Sequence, residues 1–358
     1  NVRHASPYEN LDSGGGVRVG SGIELGNAYD ENGAVNRYPT GENEYISPLV
    51  NGTYDYSKAN ERQGTNIMAN GYINLTPIDG LSIRTSLSAN FEFERVGTYT
   101  DGTTTDRQQV GVSASSLTNT NIRFLNWDNV ITYQKKIGDH SFGVTGLTSW
   151  VKSMKETLAG SGTGQIVGSQ LWWALQSNST LGTSSDYVQY QSFSYAGRFN
   201  YSYKERYLIT GSMRWDGASR LSDKWDSFPS LALGWRISEE AFMKPITVID
   251  NLKLRASFGT TGNSAIDPYG TQNGVVSFNN TGLGFQDNPV LWYVFKQTLG
   301  NVNLGWEKTS QVDVGLDISL FGGRLSATFD YYDSKTSDLL LLRTLPNMMG
   351  QGVPTNGG

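Results

Sequence analysis

Two histidines, no cysteine and a few acidic turns are all that the 358 residues offer to conventional catalysis. His4 lies near the start, and His140 sits in a short turn between two extended segments. Without cysteine there is no disulfide scaffold, thiolate metal site or thiol nucleophile. A Ser-His-acid arrangement needs three side chains to converge, and the spacing around neither histidine brings them together. A hydrolase is therefore disfavoured, and His140 reads as a solvated turn residue. Gly160-Ser161-Gly162-Thr163-Gly164 has the glycine content of a phosphate loop but lacks the following Lys-Ser/Thr and the strand-to-helix setting, so it reads as a flexible external loop. Asp30-Glu31-Asn32-Gly33 and Asp101-Gly102 could present oxygens to Ca²⁺. The full spacing of a calcium loop is missing, plain turns are preferred, and no cofactor is expected. The residue types best suited to binding are two aromatic pairs, Trp172-Trp173 and Trp292-Tyr293, each in a long loop. Ring faces stack on sugars and on apolar side chains, which makes these four the candidate ligand contacts, with loop-on-loop packing as the competing reading.

Composition narrows the classes further. Lys and Arg number 28 against 33 Asp and Glu, a net charge of -5 with no basic tract, the opposite of what phosphate neutralisation in a nucleic-acid binder requires. Aromatic residues at 12% and charged residues at 17% argue against disorder. No apolar run reaches the roughly 20 residues of a spanning helix, and the longest uncharged stretch, 157–185, is full of Gly, Ser, Thr and Gln. The opening Asn1-Val2-Arg3-His4 is not a signal peptide. Hydropathy alone would suit a soluble protein, but membrane strands alternate apolar and polar residues and average out to mild hydrophilicity.

The elements that must position these residues show a period of two. Leu81, Ile83, Thr85, Leu87, Ala89, Phe91 and Phe93 alternate with Ser82, Arg84, Ser86, Ser88, Asn90, Glu92 and Glu94, the signature of a strand with one apolar and one polar face. The preceding Ile67, Ala69, Gly71, Ile73 and Leu75 do the same, and Pro77-Ile78-Asp79-Gly80 turns one strand into the next. Further hairpins fall at 193–203 and 207–215, at 312–320 and 325–331, and more loosely at 122–136 with 140–153 and 225–237 with 250–259. The total is about ten strands in five hairpins.

Two quantities separate a soluble sandwich from a membrane barrel. Leu81 to Phe93 spans about 43 Å at roughly 3.3 Å per residue. Tilted about 45°, that length crosses a hydrocarbon layer of roughly 30 Å, whereas sandwich strands run to only about 5–6 residues. Connections also alternate between short turns near 78, 138, 205 and 322 and long excursions at 98–121, 154–190, 216–225 and 260–305, the outer-membrane arrangement. Arg84, Glu92, Arg198, Arg214, Lys253, Arg255, Asp313, Asp317 and Asp330 all fall on the non-apolar face, and Trp127, Tyr133, Trp150, Tyr207, Trp215 and Trp235 are candidates for interfacial girdles.

Over 206–343 the sequence resembles the SusC/RagA branch of the TonB-dependent outer-membrane transporters of Bacteroidetes. The blocks that carry the likeness are 214–220 (RWDGASR), 228–237 (FPSLALGWRI), 252–259 (LKLRASFG), Gly262-Asn263, 304–309 (LGWEKT), Gly315-Leu316-Asp317, Asp330-Tyr331-Tyr332 and 336–340 (TSDLL). Ala218 and Leu221 stand where that family usually has Ser and Phe. The resemblance implies an all-β antiparallel transmembrane barrel of about 22 strands closed by a plug, set in outer-membrane lipid and lipopolysaccharide. It further implies energy from TonB, ExbB and ExbD, a SusD-like surface lipoprotein acting as a lid, an oligosaccharide or peptide substrate, and pairing of two such complexes.

On this reading residues 1–65 are mostly extracellular loop with room for a strand, 66–343 hold the transmembrane strands, and 344–358 return to extracellular loop. Plug and remaining strands lie elsewhere in a longer chain, because an open sheet edge in lipid is not viable. Trp172, Trp173, Trp292 and Tyr293 are then contacts for substrate or lid. A passive porin or surface adhesin of the same architecture is the alternative.

Overall fold

The computed structural model of the chain describes residues 3–4, 27–39, 46–107, 111–272, 275–280, 290–295, 300–343 and 353–357; the side chains of 3–4, 275–280, 290–295, 342–343 and 353–357 lie outside that description. In chain order the strands are β1 (Arg3–His4), β2 (Lys58–Leu75), β3 (Leu81–Thr100), β4 (Ala114–Ile137), β5 (His140–Thr163), β6 (Thr180–Tyr203), β7 (Tyr207–Ala218), β8 (Trp225–Arg236), β9 (Ile249–Asn263), β10 (Val275–Asn280), β11 (Val290–Phe295), β12 (Glu307–Leu320), β13 (Leu325–Ser337), β14 (Leu339–Arg343) and β15 (Val353–Gly357). One 11-stranded sheet runs β1 to β9, then β12 and β13, while β10 pairs with β11 and β14 with β15. Setting aside the two-residue β1, the five expected hairpins are all present.

Two compact units divide the chain. The first takes residues 1–68, 89–124 and 154–188, and the second 69–88, 125–153 and 189–358. In the second, tight turns join the strands at their short-connection ends. Gly80 has φ +83, and a side chain there would run into the Gln134 carbonyl; Lys204 and Glu205, at the centre of the turn that the Arg206 amide closes on the Tyr203 carbonyl, both take positive φ. The β8–β9 connection is longer. It is tied down by Glu240, which accepts from Trp235 Nε1 at 3.1 Å and Arg206 Nη1 at 3.3 Å. Hydrogen bonds from the Tyr207 hydroxyl first, then from the Trp235 indole, hold the Glu240 carboxyl below its usual range.

Strands outrun the alternation that announced them. β4, β5 and β6 each have 24 residues, about 79 Å at 3.3 Å per residue, far more than the hydrocarbon requires. The excursions expected at 98–121 and 154–190 accordingly contract to 101–113 and 164–179. Gly160 to Thr163 end strand β5 instead of forming a flexible loop, and the chain turns only at Gly164, with φ +74. Likewise β2 begins at Lys58, and 344–358 contains a strand, β15, paired with β14. The cause is physical: beyond a hydrocarbon layer both faces meet water, so period-two hydropathy fades while the ladder hydrogen bonds continue.

Among the described residues no second layer covers the apolar face. Leu87, Phe199 and Val314 are 55%, 44% and 43% exposed, and buried hydrophobic residues gather near strand ends and in loops: Ile46, Val50, Tyr99, Trp172 and Ala174 in the first unit, Ala218, Leu221, Phe228, Leu304 and Trp306 in the second. An apolar surface this broad on a water-soluble protein would be an aggregation liability. Aromatic rings edge it in two rows. Near the short turns, Tyr203 stacks on Tyr207 and Tyr207 on Trp235, each pair at 6.4 Å. Toward the other ends, Tyr195 stacks on Trp215 at 5.1 Å and Phe193 meets Trp225 edge-on at 6.2 Å. Phe193 to Tyr203 is about 33 Å along β6, or about 25 Å after a tilt of about 40°, the height of the apolar band of an outer-membrane barrel.

The face assignment is directly testable in the full-length protein. Leu87→Arg, costing about 2–4 kcal/mol at mid-membrane, should reduce the heat-modifiable folded band on a gel. Ser86→Arg, one residue away on the polar face, should leave it at the wild-type level; equal loss for both would refute the assignment.

Candidate functional site

The polar face of the second unit forms a groove of about 800 Å³ lined by Tyr72 and Asn74 of β2, Ser82, Arg84 and Ser86 of β3, Asp128, Val130 and Thr132 of β4, Leu147 and Ser149 of β5, and Arg214 of β7. Alternation places them: each lies on the strand face opposite the exposed apolar row. The Arg84 guanidinium sits 4.2 Å from the centre of the Tyr72 ring. Asp128 accepts from Asn126 Nδ2 at 2.7 Å and from Ser149 Oγ at 2.6 Å. Arg214 Nε reaches both Asp216 oxygens, at 2.7 and 2.8 Å, and its Nη2 reaches Ser194 Oγ at 3.2 Å. The surface offers hydrogen bonds and fixed charge to a polar solute or to polypeptide. Arg84 and Arg214 are legible in the alternation; Tyr72 is not, because it is an aromatic between the asparagines of the β2 polar face, and Asp128 is not, because alternation in β4 is weak where Asn126, Asp128 and Val130 share one face.

Farther along the same face an ion network crosses three strands. Arg255 of β9 pairs with Asp317 of β12 at 2.9 Å and with Asp330 of β13 at 2.8 Å. Gly315 lies between them, opposite Arg255 on one side and Asp330 on the other. A methyl at Gly315 would collide with both the guanidinium and the carboxylate. The glycine is therefore what lets the pair close over the middle strand.

Other residues of the recognised blocks, apart from groove-lining Arg214 and the Arg255 network, form a clamp with their neighbours at the long-loop ends of β7, β8, β9 and β12. Phe228 meets Trp306 at 5.4 Å and 66°, Leu221 and Leu304 are fully enclosed, and Ala218 completes the cluster. Trp306 Nε1 donates to the Lys224 carbonyl at 3.1 Å, and the amides of Ser222 and Asp223 donate to the Leu304 carbonyl. Lys308 pairs with Asp226 at 2.6 Å, and Glu307 accepts from Asn263 Nδ2 and from the Leu340 amide. Such residues anchor loops and do not line the groove.

In the first unit, Trp172 and Trp173 share a 3-10 segment, Gly168–Ser177, but have different surroundings. Trp172 is 3% exposed and packed over Gly97, where any side chain would strike the indole. Trp173 is 57% exposed, with the Arg95 guanidinium 4.6 Å from its ring and Arg95 paired to Glu61 at 2.5 Å. Arg95 and Gly97 alternate in step with Phe91 and Phe93, so this segment covers the face of β3 that carries those two rings. Beside it, Tyr54 stacks on Tyr56 at 5.1 Å, and burial followed by the nearby Asp101 carboxylate pushes the Tyr99 hydroxyl up to about 12. Trp292 and Tyr293 fall in β11, opposite Phe278 and Ser277; their side chains are outside the described residues.

The remaining candidates are occupied locally. Asp30 Oδ1 accepts from the amides of Asn32 and Ala34, both at 2.9 Å, and Asp101 Oδ1 accepts from the amide and hydroxyl of Thr103. His140 Nδ1 hydrogen-bonds the Tyr201 hydroxyl at 2.9 Å, and its ring lies 4.8 Å from that of Tyr203. It therefore belongs to the aromatic row by the short turns, more engaged than a solvated turn residue.

A long-stranded sheet with an exposed apolar face, two aromatic rows and a charged opposite face defines an outer-membrane β-barrel wall. The chain belongs to the family described as TonB dependent receptor-like, beta-barrel, which matches residues 6–358. It is 34% identical over 333 residues to TonB-dependent receptor P26 of Formosa agariphila, covering 90% of this chain and 32% of that one. Over 149 residues, 41% of this chain and 15% of the relative, it is 42% identical to TonB-dependent receptor SusC of Bacteroides thetaiotaomicron. Among solved structures, the RagAB peptide transporter superposes with a TM-score of 0.76 at 23% identity, covering 92% of this chain and 36% of that one. The chain thus spans about a third or less of the length of these curated relatives. It is an outer-membrane protein from a family of receptors rather than enzymes.

Two pairs of substitutions test the site geometry. Gly315→Ala in the full-length receptor should cost about 1–3 kcal/mol by overpacking and lower the temperature at which the folded band is lost, whereas Gly71→Ala, with open space around its Cα, should shift it by no more than about 0.5 kcal/mol. Trp172→Ala, a loss of about 3–5 kcal/mol of packing, should make the 167–178 segment sensitive to protease on intact cells. Trp173→Ala should not, and equal sensitivity would contradict the difference in burial.

Proposed function

We propose that this chain supplies wall and external loops to a TonB-driven outer-membrane importer that takes up oligosaccharides or peptides together with a SusD-like surface lipoprotein. The observation that carries the reading is the run of family blocks from Arg214 to Leu340, supported by the 42% identity to SusC. In this mechanism the lipoprotein delivers ligand to the barrel mouth, TonB with ExbB and ExbD pulls on a plug, and a passage opens along the polar face. The part of these residues is to bound that passage. Arg84, Asp128 and Arg214 keep its wall wetted and hydrogen-bonding, so a polar solute moves past it without being stripped of partners. Ligand discrimination is assigned to the external loops, with exposed Trp173 better placed to stack on ligand or lid than buried Trp172. No reaction is assigned to the chain.

The experiment is a deletion of the full-length gene, tested for growth on single glycans and on defined peptides, with binding measured on the purified receptor–lipoprotein complex. Growth should fail on one class of nutrient and be restored by the wild-type gene but not in a strain lacking TonB. Uptake that persists without TonB would replace the importer with a passive porin.

A further inference from the structure

Beyond the groove, the face that carries Ser194 and Arg214 continues to a guanidinium that has no counter-charge. The β6–β7 pairing ends at Ser192 opposite Ala218, and one further step is made by the Ser219 amide on the Gln191 carbonyl at 3.0 Å and the Gln191 amide on Ser219 Oγ at 2.9 Å. That step sets Arg220 across from Tyr190, and the guanidinium carbon lies 3.6 Å from the centre of the ring. Alternation along β6 puts Tyr190 on the same face as Ser194, about 13 Å nearer the long-loop end at roughly 3.3 Å per residue. Charge is answered elsewhere on this wall: Asp216 holds Arg214 and Asp226 holds Lys308. Among the described residues no carboxylate pairs with Arg220, and its Nε is buried without a hydrogen-bond partner, a condition that native structures rarely leave unanswered. Stacking on Tyr190 spends none of the donors, because the N–H bonds lie in the guanidinium plane and not along the ring normal. One residue along β6, the Tyr269 hydroxyl accepts from the Gln189 amide at 3.1 Å, which leaves its own proton to donate, and Tyr269 is 46% exposed.

We propose that Arg220, held flat by Tyr190, binds a carboxylate of the solute at the long-loop end of the passage and so favours acidic oligomers over neutral ones. A planar cation whose terminal edge bonds none of the described residues matches a carboxylate through two parallel N–H···O bonds, and the Tyr269 hydroxyl supplies a further donor. An arginine present only to anchor a loop would end on a protein acceptor, as Arg206 does on Glu240 and Arg214 on Asp216. The inference rests on the importer reading for what reaches this end of the passage, and adds to it the charge of the cargo.

The test uses the purified full-length receptor in detergent, titrated calorimetrically in two series: trigalacturonate against its methyl ester, and triglutamate against triglutamine. In at least one series wild type should bind the acidic probe about tenfold more tightly than its neutral counterpart, the worth of a charged hydrogen-bonded contact, and the series that shows it identifies sugar or peptide as the source of the carboxylate. Arg220→Gln should abolish the preference while leaving the neutral probe unaffected. Arg324→Gln, which removes the same charge in the β12–β13 turn at the short-turn end, should keep it. Tyr190→Phe, which retains the ring, should bind as wild type, whereas Tyr190→Ser should weaken acidic binding about two- to fivefold. Wild-type heat-modifiable migration of every variant shows that the barrel is intact. Equal binding of acidic and neutral probes by wild type in both series would overturn the proposal, as would a preference that survives in Arg220→Gln. Binding is read without TonB, so uptake that proved independent of TonB would remove the importer reading and leave this result standing.

Discussion

Hydrocarbon offers no partner to a backbone amide or carbonyl, and every feature of this chain follows from that constraint. A strand in lipid must satisfy its polar groups on neighbouring strands, so the chain is built almost entirely of sequential antiparallel hairpins. Once the ladder takes the backbone groups, side chains are free to differ by face. One face can be as apolar as lipid requires because nothing else has to cover it. This reverses the usual globular logic, in which Leu87, Phe199 and Val314 would be interior; here they are among the exposed residues, and the small buried clusters sit near strand ends and in loops.

The polar face uses the freedom differently. Charges that would be prohibitive against lipid are accommodated there in pairs and networks: Arg214 with Asp216, Arg255 with Asp317 and Asp330. The Arg255 network joins three adjacent strands side to side, adding a side-chain tie to the backbone ladder at the cost of a glycine in the middle strand. Strand Gly is ordinarily a weakness. At position 315 it is a clearance, which lets Arg255 of β9 reach Asp330 of β13 across the middle strand.

Beyond the apolar band the problem becomes one of holding long strand ends and loops against one another in water. Part of the blocks that carry the family resemblance serves this task. Phe228, Trp306, Leu221 and Leu304 make a small hydrophobic core, and the Lys224 carbonyl, Glu307 and the Lys308–Asp226 pair lock the loop ends around it. That work is structural, which explains how the most recognisable segments of the chain can be silent about the ligand. Trp172 has a comparable part in the other unit, filling the space over Gly97.

The sequence by itself determined the class of fold, the five hairpins and the two faces, since period-two hydropathy is written by the contrast between hydrocarbon and water and needs no knowledge of what lies beside each strand. It also marked Arg84, Arg214 and Arg255 as charges of the non-apolar face. Its reach ended where that contrast ends. Above the band both faces are wet, so the extensions of β4, β5 and β6 and the strand character of Gly160 left no signal. Two adjacent tryptophans in one loop read alike, yet only tertiary packing decided that Trp172 is buried over Gly97 and Trp173 exposed beside Arg95. The Arg255 pair passing over Gly315 was likewise decided only in three dimensions, because it depends on the register between β9 and β12, which two further strands separate in the chain.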